Sequence, residues 1–124
     1  MVVMEALGRA LVVEPYLPTV VLAGSAIVLG GSAVQRQLLL PRIADGSMKF
    51  AFAHTEPGTR WELNRVQTTA RQEGGMWVID GHKSVVLHGG VADLLIVTAR
   101  TSGAPDSPHG ITLFFVNPAE PGVL

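Results

Sequence analysis

The run FAHTEPGTRWEL, Phe52 to Leu63, brings together an imidazole at His54, a hydroxyl at Thr55, a carboxylate at Glu56, and a guanidinium and an indole at Arg60 and Trp61. Glu56, with Glu62 and Asp80 further on, could move a proton. Each carboxylate also has a plainer reading. Asp80 before Gly81 has the composition of a turn, Glu62 that of a solvated surface, and Glu56-Pro57-Gly58 that of a turn after a strand. Trp61 equally suits a core or lid position. Residue types alone therefore do not reach a reaction, but they do reach a geometry. A strand delivering Phe52, Ala53 and His54 into Thr55 and a Pro-Gly turn would set backbone N–H groups and a hydroxyl beside an aromatic ring at the rim of a sheet. That rim suits a planar heterocycle edged with acceptors.

Other chemistries find little support. His54, His82, His88 and His109 match no short zinc-ligand spacing, and no acidic residue recurs with them at helical intervals, so no metal site is expected. GGSAVQ at Gly30 lacks the Lys-Ser/Thr of a phosphate loop and the strand and third glycine of a dinucleotide fingerprint. No serine sits in a nucleophile-elbow setting. The 124 residues carry a net charge of -1, which gives no basic field for a nucleic-acid backbone. The chain has no cysteine, which removes thiolate chemistry and disulfides and is compatible with a reducing compartment; cytoplasm is the expectation.

These residues need elements to hold them. The first 45 residues read as helices and the remainder as strands, a change of period that marks a domain boundary. EALGRALVVEP gives a first helix closed by Pro15. Pro15 to Val34 is uncharged for a length that could span a bilayer, but Pro15, Pro18, Gly24, Gly30 and Gly31 interrupt it. A buried helix from Pro18 to Leu29 is expected instead, with no membrane span. Ser32 and Gln35 form a capping box for a third helix reaching Asp45, with Leu38, Leu39 and Ile43 as its apolar face, a kink at Pro41 and a stop at Gly46. Beyond lie five to seven short strands in VQTTARQ, MWVIDGHKSVVL, LLIVTAR and GITLFFV. Asp80-Gly81 reads as a two-residue hairpin turn, and Gly74-Gly75 likewise separates strands. With no helical crossover between strands, an antiparallel meander or small barrel is expected, not a parallel sheet. Thr101 to Gly110 is a surface loop by composition.

AHTEPG at Ala53 to Gly58, then VIDGHKSVVLHGGVADLLIVTAR at Val78 to Arg100, resemble the middle β-domain of acyl-CoA dehydrogenases, where a Thr-Glu-Pro-Gly stretch and a later Gly-x-Lys segment line the flavin. GGSAVQRQLLLPRIADGSMKFAF at Gly30 to Phe52 resembles that family's passage from its N-terminal helical domain into the sheet. AHTEP with Arg60-Trp61-Glu62-Leu63 looks most like the small-subunit pimeloyl-CoA dehydrogenase-like branch. The resemblance implies an α+β fold: residues 1–46 as the end of an N-terminal helical domain, residues 47–124 as a β-barrel binding FAD and acyl-CoA, and the C-terminal helical bundle absent.

It implies α,β-dehydrogenation of an acyl-CoA thioester in fatty-acid metabolism, with hydride passing to flavin N5. Phe52, Ala53, His54, Thr55, Val85, Val86 and Leu87 would lie against FAD, and Arg60 and Trp61 near the acyl-CoA. Glu56 and Lys83 match family positions and are given structural roles. No catalytic base is expected in this chain, which alone would be an inactive fragment working with other acyl-CoA dehydrogenase chains in a homo- or hetero-oligomer. The sequence departs from the family in three places. Arg60-Trp61-Glu62 replaces Gly-Ser-Asp, Leu87 replaces a threonine near flavin N5, and Val85 replaces a shielding tryptophan. These departures bear on the substrate pocket and the unknown electron acceptor more than on the fold. They also keep open an alternative, a non-catalytic interaction subunit that binds no flavin.

Overall fold

The structure, a computed structural model, describes residues 2–59 and 61–124. Helix α1, Val2–Arg9, has no buried residue and ends well before Pro15; Leu11, at φ 51°, breaks the pattern first. A π-helical turn over Leu17–Ala23 runs straight into α2, Gly24–Gly30. This is not the buried helix that composition suggests. One stripe, Pro18, Thr19, Ala23, Gly24 and Ile27, is buried, while Val20, Val21, Leu22, Val28 and Leu29 lie on the exposed side. No helix among the described residues is long and apolar enough to cross a membrane.

The capping box forms as expected. Ser32 Oγ accepts from the Gln35 N–H at 3.2 Å, and Gln35 Oε1 accepts from the Ser32 N–H at 2.8 Å, satisfying two donors at the start of α3, Ala33–Ala44. Helix α3 continues through Pro41. Ile43 is buried and Leu39 packs on the core, but Leu38 faces outward. Gly46, at φ 75°, follows the Asp45 cap.

Five strands follow: β1 Phe50–Ala53, β2 Thr69–Glu73, β3 Met76–Asp80, β4 Leu94–Arg100 and β5 Ile111–Val116. Strand β4 is the centre. Antiparallel β5 covers one side of it, and on the other β1 pairs in parallel with Leu94 to Val97 while β2 joins only at Arg100. The parallel pairing overturns the all-antiparallel expectation. A crossover does link β1 to β4, but it consists of the β2–β3 hairpin and irregular segments, with no long helix to announce it. The sheet is open along β1, so the expected barrel is not formed. At the start of the parallel pair, the Asp93 carboxylate accepts from the Lys49 N–H at 2.7 Å and meets its ammonium at 3.0 Å.

The core lies between the helices and the β1–β4 pair. Ala23, Ile27, Ile43, Phe50 and Ile96 form it, and Phe115 reaches the Phe50 ring edge-on from β5. Thr19 Oγ1 donates to Phe50 O at 2.8 Å and accepts from Phe50 N–H at 3.0 Å, clamping the π-helical turn to β1.

The β2–β3 hairpin turns at Gly74-Gly75, not at Asp80-Gly81. Both glycines have positive φ, 57° and 82°, as a turn of the I′ kind needs, whereas Asp80 is the last paired residue of β3, opposite Thr69. Gly81 serves a different purpose, close approach. A Cβ there would lie 2.6 Å from the Thr68 Cα and 2.4 Å from its Oγ1. Gly81→Ala is therefore expected to destabilise the chain by about 1–3 kcal/mol, the usual range for overpacking. An unchanged urea midpoint would mean that the backbone at Thr68 gives way freely.

Candidate functional site

The site grows from the end of β1. Successive strand side chains alternate faces, so Phe52 and His54 share one side and Ala53 points to the other, where it is buried. The Phe52 and His54 rings stack, with centroids 6.1 Å apart and planes inclined by 26°. Thr55 is exposed. Its carbonyl accepts from the Ser84 N–H at 2.8 Å, which draws the segment after β3 against the end of β1. That contact brings Phe52, Ala53, His54 and Thr55 together with Val85, Val86 and Leu87.

Several donors here have no partner among the described residues: the Thr55 N–H and hydroxyl, and the N–H groups of Val85, Val86 and Leu87. Val85 is 80% exposed at φ 52°, an uncommon conformation for a β-branched residue. The Val86 carbonyl accepts from Gly89, and His88, at φ 58°, leads into a short 3-10 turn over Gly89–Val91.

Behind this rim sits a buried polar cluster. Glu56 is only 4% exposed, and its carboxylate accepts from the Gln67 N–H at 2.7 Å, the Thr68 N–H at 3.0 Å and Lys83 Nζ at 2.6 Å. Thr59 closes the turn, donating its hydroxyl to Glu56 O at 2.9 Å. Burial works to raise the Glu56 carboxyl, but the Lys83 ammonium and the Thr68 and Gln67 donors outweigh it and hold it at about 2. Burial moves the Lys83 ammonium below its ordinary value against the pull of Glu56. Lys83 also donates to Thr98 Oγ1 at 2.9 Å and His54 O at 3.4 Å. Glu56 thus ties the turn to β2, and Lys83 ties both to β4.

Arg100, buried at the end of β4, has no carboxylate partner among the described residues. Its guanidinium donates to Val66 O at 3.0 Å, Asn64 O at 2.8 Å, Pro105 O at 2.9 Å and His109 O at 2.9 Å, joining the 64–66 segment to the 101–110 loop.

Arg60 lies outside the described residues. Trp61 is 93% exposed, so the core reading for it fails, and it makes no ring contact among the described residues. No three His, Cys, Asp or Glu side chains among the described residues are grouped as metal ligands. Thr98 and Arg100 were not singled out from sequence. Their signal is a hydroxyl and a guanidinium two residues apart, hence on one face, in the otherwise apolar LLIVTAR.

The acyl-CoA dehydrogenase middle-domain family matches residues 51–124, and the chain belongs to that family. It is 36% identical over 95 residues to the mitochondrial long-chain specific acyl-CoA dehydrogenase of Rattus norvegicus, covering 76% of this chain and 22% of that one. Butyryl-CoA dehydrogenase from Megasphaera elsdenii superposes with a TM-score of 0.76 at 32% identity, over 85% of this chain and 27% of that one. The ChsE4-ChsE5 complex from Mycobacterium tuberculosis superposes with a TM-score of 0.81 at 27% identity, over 94% of this chain and 30% of the matched chain. The chain thus spans less than a third of the length of each.

Proposed function

We propose that this chain is the flavin-facing middle portion of an FAD-dependent acyl-CoA dehydrogenase, with residues 1–46 belonging to its N-terminal helical domain and 47–124 to its middle domain. The observation that carries the reading is the set of unpartnered donors at Thr55 and Val85 to Leu87, gathered beside the stacked Phe52 and His54 rings. Such a set fits an acceptor-edged ring system like that of a flavin. A flavin held by Phe52, Ala53, His54, Thr55 and Val85 to Leu87 would supply the hydride acceptor for α,β-dehydrogenation of an acyl-CoA thioester.

This chain's own residues bind and orient. The Thr55 N–H and hydroxyl would donate to the acceptor edge of the ring, where donors stabilise negative charge. Phe52 and His54 would form the wall and Ala53 would contribute its backbone, with Val85, Val86 and Leu87 adding backbone amides and apolar surface. Glu56 and Lys83 hold the two segments in register. Arg60 and Trp61, following the turn, belong to the acyl-CoA side. The wording AHTEP and Arg60-Trp61-Glu62-Leu63 supports placement in the pimeloyl-CoA dehydrogenase small-subunit-like branch. Assembly with other acyl-CoA dehydrogenase chains has support in the two-component complex it resembles, and a cytoplasmic setting completes the proposal.

The test is a titration of the purified chain with FAD, followed by flavin absorbance. Saturable binding with a shifted flavin band is expected, weakened about tenfold in Thr55→Val, since one hydrogen bond to the cofactor contributes about 1 kcal/mol or more. A flavin spectrum unchanged at every concentration would sink the reading. It would favour instead an interaction subunit, to which the exposed indole of Trp61 is suited.

A further inference from the structure

We propose that Glu56, Lys83 and Thr98 fix His54 as a neutral imidazole with its proton on Nε2, making it a directed N–H donor at the cofactor rim. The Lys83 ammonium has three N–H groups and cannot accept. They point at Glu56 Oε1, Thr98 Oγ1 and His54 O, at 2.6, 2.9 and 3.4 Å.

Thr98 Oγ1 is therefore an acceptor toward Lys83, and its own proton needs a partner. Thr98 is 4% exposed, and the remaining polar neighbour of its hydroxyl among the described residues is His54 Nδ1, at 3.5 Å. A proton on Nδ1 would aim two donors at Oγ1 and leave the hydroxyl proton buried with no acceptor, at a cost of about 1–3 kcal/mol. Nδ1 consequently accepts, and the ring's single proton goes to Nε2. Nε2 itself has no partner among the described residues.

The charged groups facing the ring agree. Burial and the Lys83 ammonium disfavour imidazolium, and the ionised Glu56, paired with Lys83, opposes them only in part. Phe52, stacked on the ring, holds its plane. Glu56 is thus a positioning residue acting at two removes. It anchors Lys83, Lys83 turns the Thr98 hydroxyl, and the hydroxyl selects the tautomer. The donor role rests on the cofactor reading above; the tautomer does not.

The histidine-labelled chain, studied by long-range proton–nitrogen correlation at neutral pH, tests both. The expected His54 pattern is Nε2–H with a hydrogen-bonded, unprotonated Nδ1. In Thr98→Val the Nδ1 resonance should move to its unbonded position, and in Thr98→Ser, which keeps the hydroxyl, it should stay. An Nδ1–H tautomer or imidazolium in the unaltered chain would overturn the assignment, as would a Thr98→Val spectrum like the original. Adding FAD to the same sample should shift the Nε2 resonance. Bound FAD with no such shift overturns the donor role alone, whereas FAD that does not bind overturns the cofactor reading and the donor role together and leaves the tautomer standing.

Discussion

Replacing Arg100 with methionine is expected to lower the stability of the chain by about 2–4 kcal/mol, read as a fall in the urea midpoint with little change in slope. Methionine fills similar space, so the loss comes chiefly from carbonyls deprived of their donor. Asn64, Val66, Pro105 and His109 each give an oxygen to the guanidinium at 3.0 Å or less. A buried acceptor left unpaired costs about 1–3 kcal/mol, and those near the surface recover part of it from water. Arg100→Lys should regain only a minor share, because a point ammonium cannot reach in several directions as the planar fork does. Amide exchange should quicken first around 64–66 and 101–110, the segments the fork joins. A midpoint unchanged in Arg100→Met would show that the two loops hold their shape without it.

The second large effect belongs to Lys83. Lys83→Met would strand the Glu56 carboxylate in a site where it is only 4% exposed, and breaking such a pair from one side costs about 3–5 kcal/mol. The same pair makes stability depend on acid. The Glu56 carboxyl is held at about 2 against an ordinary 4.5, so its contribution is fully present above about pH 4.5 and disappears as the pH falls toward 2. That window amounts to about 3 kcal/mol at most. The partners do not mirror each other: burial leaves Lys83 below its ordinary value, which offsets part of what Glu56 gains. Urea midpoints between pH 6 and 2.5 should fall steeply in the unaltered chain and less steeply in Glu56→Gln. Parallel slopes would show that other carboxylates carry the acid limb.

Legibility from sequence followed the range of the interaction. The Ser32–Gln35 box, the extent of α3, β4 as LLIVTAR and the 101–110 loop all rest on contacts between near neighbours or on period, and they are as read. The early end of α1, the π-helical turn and the parallel β1–β4 pair were not. The first turns on the positive φ of Leu11, the second accompanies a Thr19 side chain committed to Phe50, and the third joins residues some forty positions apart. At the site, the family resemblance sets Thr55 and the 85–87 segment against one cofactor, and the Ser84-to-Thr55 bond shows how the two segments meet. Thr98 escaped notice because a threonine inside a strand is ordinary until Lys83 and His54 are placed beside it.

Thr19 has a bearing beyond the core it helps to clamp. β1 lies at the border of the sheet, and its Phe50 N–H and C=O point away from β4 to the side where a foreign strand could add. One hydroxyl occupies both groups at once. The π-helical turn therefore closes this part of the β1 edge, leaving a strand that approached at Phe50 no free backbone pair to join.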